Sequence, residues 1–239
     1  MTHQQTPLGE PVPDWTPPPR PDFGCLEGRY ARLERLDPAR HAAALHKANR
    51  EDAAGRIWRY LPYGPFDSLE DYRVWAAEIS ESGDPMFFAV IDRETGLPGG
   101  VASYLRIAPE AGSIEVGHIN LAPRLQRTPA ATEAIFLMMD WAFDAGYRRF
   151  EWKCDALNAR SRSAALRYGF TFEGVFRQAA VVKGRNRDTA WYAVIDKEWP
   201  ALSAAFEAWL APGNFDGAGR QRAALSELTG AALDSFRGH

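Results

Sequence analysis

The chain reads as an α/β protein: one mixed sheet, α+β-like in its run of antiparallel strands, with helices on both faces. Three observations predict it. Strand-like runs cluster in the middle of the chain at 86–92, 100–107 and 114–121, separated by turn residues. Two strand–helix–strand passages follow, which parallel neighbours in a sheet require. With 239 residues, 46% hydrophobic and 25% charged, the chain can bury one large core.

The elements follow in order β-α-α-β-β-β-α-β-α-β-β, then C-terminal helices. Residues 1–25 form a proline-rich arm, which favours extended backbone and builds no core, with Trp15 as its anchor. Residues 26–36 alternate as a strand. Asp37-Pro38 opens a helix with an N-cap and a proline in its first turn. Residues 58–66 are a loop dense in aromatics and prolines. Ser68, with Asp71 three residues on, opens a second helix that ends near Gly83. The nearly continuous apolar run 86–92 predicts a buried strand, and it begins a three-strand antiparallel meander. The 114–121 strand stops before Pro123. Residues 129–145 make an amphipathic helix with Ile135, Met138, Met139, Ala142 and Phe143 inward, closed by Gly146. A strand at 149–154 and a helix at 158–168 come next, then strands at 171–182 and 189–195 around a turn at 183–188. Residues 26–198 form the domain. The extension 199–239 is helical, and its last segment, 217–236, is placed to cap the domain or to mediate dimerisation.

Composition excludes several function classes. Net charge is −3 and the pI about 6.0, which argues against nucleic acid or an anionic membrane as partner. No run reaches the ~18–20 apolar residues of a membrane span, and no secretory signal opens the chain. Cys25 and Cys154 give neither metal-ligand spacing nor a disulfide framework, so no metal and a cytoplasmic location are expected.

Two local patterns point to chemistry. The first is Gln126-Arg-Thr-Pro-Ala-Ala-Thr-Glu-Ala134, small and free of acids until Glu133, at the start of a helix. A helix N-terminus offers unpaired N–H groups and partial positive charge, which suits phosphate. This segment resembles the pyrophosphate loop of the GNAT acyltransferases, usually Gln/Arg-x-x-Gly-x-Gly/Ala. It departs at Pro129, which has no N–H but suits a first helical turn. The second is Asn158-Ala-Arg-Ser161 followed by Gly169-Phe170, which resembles the family's Asn-x-x-Ser/Ala…Gly-Phe block. The element order over 26–198 is also similar to the GNAT fold.

The resemblance implies acetyl-CoA as co-substrate, its diphosphate held at Gln126, Arg127, Thr128, Ala130, Ala131 and Thr132. It implies that Asn158 orients the pantetheine arm and that an N–H near Asn120 or Leu121 stabilises the oxyanion. The thioester would enter a gap between the 114–121 and 149–154 strands. In the branch resembling ribosomal-protein N-terminal (alanine/serine) acetyltransferases, Ser161 matches the proposed acid for the leaving thiolate. Two departures stand out. The Tyr acid of other members is Ala165 here, and that branch's Glu base is Ala180.

The reaction needs a base to free the amine. The candidates are Glu115, in a Glu-x-Gly pattern, and His118, which strand alternation places on the face opposite Gly117. Plain structural roles compete: Glu115 as a surface residue, His118 as a packed one, Asn158 as a turn residue and Ser161 as a cap. The expected reaction is direct attack of a primary amine, on a small molecule or a protein, within a ternary complex. Cys154 is then structural. The rivals are a non-catalytic acyl-CoA sensor and a succinyl-CoA-dependent transferase. For the latter, Lys183, Arg185 and Arg187 supply cationic contacts; the same run also suits the coenzyme's 3′-phosphate or a solvated turn. A monomer and a homodimer are both compatible with the sequence.

Overall fold

Four helices begin where the sequence supplies a side-chain cap. The Asp37 carboxylate accepts the Ala39 N–H at 2.8 Å and opens α1 (Pro38–Asn49). Ser68 Oγ accepts from Asp71 N and opens α2 (Leu69–Ser80). Thr128 caps α3 (Pro129–Asp144) with Pro129 in its first turn, and Asn158 caps α4 (Ala159–Arg167). Two further helices, α5 (Trp199–Leu210) and α6 (Leu225–Leu233), complete the set. The computed structural model describes residues 8–236, so the first seven residues of the arm lie outside the described residues.

The strands are β1 (Cys25–Glu27), β2 (Ala31–Arg35), β3 (Met86–Asp92), β4 (Leu97–Ala108), β5 (Ser113–Leu121), β6 (Arg149–Asp155), β7 (Thr171–Val182) and β8 (Arg185–Ile195). They form one mixed sheet in the order β1-β2-β3-β4-β5-β6-β8-β7. Every pair is antiparallel except β5–β6, which α3 joins as a parallel crossover.

The alternation of β3 fills both layers. Phe88 and Val90 join the larger core with Ile114, Val116, Met138 and Met139; Phe87 and Ala89 join the smaller one with Leu45 and Tyr72 from α1 and α2. A strand buried on both faces reads as a continuous apolar run. The α5 helix shares the larger core through Leu202 and Phe206, and Phe206 stacks on Phe136 of α3 at 5.4 Å. The arm crosses the surface: Tyr147 Oη donates to Pro19 O at 3.1 Å, and the Arg148 guanidinium lies 5.6 Å from the Trp15 ring.

Two elements differ from the sequence expectation. The 26–36 stretch is a hairpin of β1 and β2, not one strand. The cause lies far along the chain. The buried Glu133 carboxylate accepts the N–H groups of Arg29 (2.9 Å), Tyr30 (2.5 Å) and Ala31 (2.6 Å). A Cβ on Gly28 would sit 2.4 Å from that carboxylate, so only glycine lets the turn close on it. The β7–β8 turn is also tighter than expected. It is Lys183-Gly184, both left-handed (φ 49° and 71°), a two-residue hairpin whose twist matches the strands it joins. β8 therefore starts at Arg185 rather than Thr189.

Candidate active site

The site is built on β5. Its first half pairs with β6 from Ser113↔Arg149 to Val116↔Trp152, and no pairing continues beyond. After that, β5 keeps only β4, and β6 keeps only β8. The sheet opens between them over Gly117–Leu121, where the sequence pointed to a gap. Adjacent N–H groups of a strand face opposite edges, so one of the pair Asn120 and Leu121 faces the opening.

The opening leads to the mouth of α3. Arg127 is left-handed (φ 64°) between extended Gln126 and Thr128, a turn that brings successive N–H groups into a concavity. Ala130 and Ala131 add no bulk. The Ala131 N–H, however, is taken by Thr128 Oγ1 at 3.1 Å, and the Thr132 N–H by Thr128 O at 3.3 Å. These two amides are therefore not the cradle donors expected; the Thr128 cap has absorbed one of them. The Ala130 N–H remains a first-turn donor without an intrahelical acceptor. The Gln126 side chain ties the turn to Leu121 O at 2.8 Å. A small-residue mouth, a left-handed turn and the adjoining gap fit a diphosphate followed by an extended arm.

On the far lip, the Asn158 side chain accepts the Ser161 N–H at 3.2 Å. Ser161 Oγ in turn accepts from the Trp152 indole at 3.0 Å. The Ser161 hydroxyl thus stands at the last β5–β6 pair. Burial pushes the neighbouring Cys154 thiol up, against a hydrogen bond from Ser161.

The two base candidates part company. Glu115 is 2% exposed. Both its oxygens accept from Arg106 (2.7 and 2.8 Å), and one also meets Lys153 at 2.9 Å. Burial raises its pKa against the pull of Lys153 and Arg106. Lys153 continues to Glu151 (2.7 Å), Glu151 to Arg149 (2.6 Å) and Arg149 to Glu173 (2.5 Å). Glu115 is a buried member of an ionic ladder that runs from Arg106 to Glu173, not a surface residue.

His118 does not follow strand alternation. The register of β5 on β4 slips between Val101↔Asn120 and Ser103↔Gly117, and His118 is left-handed (φ 51°). This bulge turns its ring onto Tyr63 (5.6 Å, 14°) and Phe87 (5.0 Å), on the α1/α2 side of the sheet. Its Nδ1 is buried without a partner, as are the Asn120 side-chain atoms, Tyr63 Oη and Trp191 Nε1. Burial first, then Arg106 and Arg187, push the His118 pKa down to about 4, so the ring is neutral at neutral pH. Sequence reasoning missed these neighbours because they come from three distant elements; the 58–66 loop was the one signal.

Lys183 is committed elsewhere. Its ammonium donates to the carbonyls of Trp58 (3.1 Å), Tyr63 (3.0 Å) and Gly64 (2.6 Å). It pins the β7–β8 tip over the aromatic loop rather than waiting for an anion. Among the described residues no His/Cys/Asp/Glu group suits a metal ion. No helix there is long and apolar enough to cross a membrane.

Residues 31–171 match the model of the acetyltransferase (GNAT) domain. The chain belongs to the GNAT family. A GCN5-related N-acetyltransferase from Brucella melitensis is similar over 92% of this chain and 100% of its own, at 48% identity and a TM-score of 0.90. A probable GNAT-family acetyltransferase from Chromobacterium violaceum ATCC 12472 is 39% identical, covering 82% of this chain and 98% of its own, with a TM-score of 0.76. The acetyltransferase of Salmonella typhimurium that modifies the N-terminal serine of ribosomal protein L7/L12 shares the fold at 24% identity, covering 70% of this chain and 96% of its own, with a TM-score of 0.60. No curated protein matches. The mixed sheet is thus the GNAT sheet, and membership of the family supports acyl transfer as the activity.

Proposed function

We propose that the protein moves an acetyl group from acetyl-CoA to a primary amine, by direct attack within a ternary complex. The observation that carries this reading is the opening between β5 and β6, continuous with the mouth of α3. It suits an extended thioester-bearing arm whose amides pair with the strand edge.

In this reading the amine nitrogen attacks the thioester carbonyl from the α1/α2 side. The C–N bond forms, and the oxyanion meets the inward N–H of the Asn120–Leu121 pair. His118 Nδ1, neutral and without a partner, accepts a hydrogen bond from the amine and takes its proton once C–N bond formation has made that nitrogen cationic and acidic. The C–S bond breaks, and the thiolate takes the proton of Ser161. Glu115 holds Arg106 and Lys153 in place and touches no reactant. The acceptor is a small-molecule or protein amine. The engagement of Lys183 with three carbonyls argues for an acetyl rather than a succinyl donor.

The test is thiol release from acetyl-CoA with a panel of amines, including a peptide N-terminus, a lysine side chain and a polyamine. Turnover with one class is expected. Thermal stabilisation by coenzyme A without turnover of any amine would replace the enzyme by a sensor.

A further inference from the structure

Arg167 closes α4 in a setting that costs free energy. Its guanidinium is half-buried, lying 4.9 Å from the Trp209 ring and 5.3 Å from the Tyr168 ring. Burial pulls its pKa below the usual arginine range. Its Nη1 donates to Thr132 Oγ1 at 3.1 Å, and the Tyr168 hydroxyl is its second hydrogen-bond partner. Arg106, Arg124 and Arg149 have carboxylate partners in Glu115, Glu51 and the Glu151–Glu173 pair, and half-buried Arg35 has the Ser80 and Ser82 carbonyls, whereas Arg167 has hydroxyls and rings. Among the described residues no carboxylate pairs with Arg167. A desolvated cation without a counter-ion is expensive, and the packing around it fixes its plane all the same.

What lies beside it is the first turn of α3, through Thr132. We propose that Arg167 binds the diphosphate of the coenzyme from the α4 side, which rests on the α3 mouth being the coenzyme site. The chemistry fits: a planar fork matches phosphate oxygens two at a time, and its charge-assisted bonds are among the strongest a side chain makes. It also makes up for the amide that the Thr128 cap consumes and the one that Pro129 lacks. α4 then meets the coenzyme at both ends, with Asn158 and Ser161 toward the thiol and Arg167 toward the phosphates.

Calorimetric dissociation constants for coenzyme A, dephospho-coenzyme A and pantetheine test this on the full chain. Arg167→Gln is expected to weaken the first two alike, by about 10- to 100-fold, and to leave pantetheine unchanged. Arg167→Lys, which keeps the charge but not the fork, should fall between. Equal losses for all three ligands would make Arg167 structural. A loss for coenzyme A alone would assign it to the 3′-phosphate instead, and unchanged constants would remove it altogether. A wild-type protein that binds coenzyme A no better than pantetheine would refute the α3 mouth itself. One that discriminates, with Arg167→Gln discriminating equally, refutes Arg167 alone.

Discussion

From Ser113 to Val116, β5 is paired on both sides; from Gly117 to Leu121 it has β4 alone. The polar side chains divide at the same point. Glu115, in the closed half, has both oxygens bonded to cations. His118 and Asn120, in the open half, carry buried polar atoms with no partner. Native interiors rarely leave such groups unpaired, so a cluster of them marks where something else completes the structure. On the proposed function, one strand serves stability over its first half and recognition over its second, and a single bulge separates the two.

The comparison breaks most readily at the α3 mouth. Ala131→Glu puts bulk and negative charge at a buried position of that mouth and is expected to abolish coenzyme A binding by calorimetry and to lower stability as well; unchanged affinity would detach the mouth from the opening. Next comes the closed half. Glu115→Leu leaves the ladder's cations uncompensated and should cost about 3 kcal/mol in urea unfolding. If Glu115→Gln instead kept its stability and lost turnover, the closed half would be catalytic after all.

The open half is predicted to behave in the opposite way. His118→Gln should lower kcat/KM by about 100-fold and leave the coenzyme dissociation constant unchanged. His118 also links stability to pH. Its folded pKa of about 4 lies below the ~6.5 of an unfolded histidine, so the unfolded chain takes up the proton first. Its contribution is complete above about pH 6.5 and fades as the pH falls toward 4, by about 3 kcal/mol in all. His118→Gln should flatten that slope, and an unaltered acid limb would place the titration elsewhere. The smallest effect is expected at the lip: Ser161→Ala should lower kcat by about tenfold, more than it changes affinity. Equal kinetics would remove Ser161 as the acid.

Much of the fold was legible because its causes are local. Caps at Asp37 and Ser68 start helices by bonding within three residues; at α4 the cap is Asn158 rather than Ser161. The 86–92 run declared itself by having no polar face. Two readings could have been sharper from local rules alone: Thr128, three residues before Ala131, already signals a cap that consumes an amide, and Lys183-Gly184 suits a two-residue turn. The β1–β2 hairpin was not legible, because it closes on Glu133 about a hundred residues away. In the candidate site, the positions of the gap and the mouth could be read in advance. The roles at its edge could not, since a strand Glu and a strand His look equally able to carry a proton until their neighbours are known.

Sequence periodicity and capping chemistry determined which segments are strands and helices, their order and the residues at the helix mouth, because those depend on contacts a few residues long. Only the tertiary structure decided that Glu115 is locked between Arg106 and Lys153, that the bulge turns His118 onto Tyr63, and that Arg167 reaches Thr132. Each depends on which charges and rings distant segments bring within a few ångströms, and the free energy of a buried polar group is set by such neighbours rather than by its place in the chain.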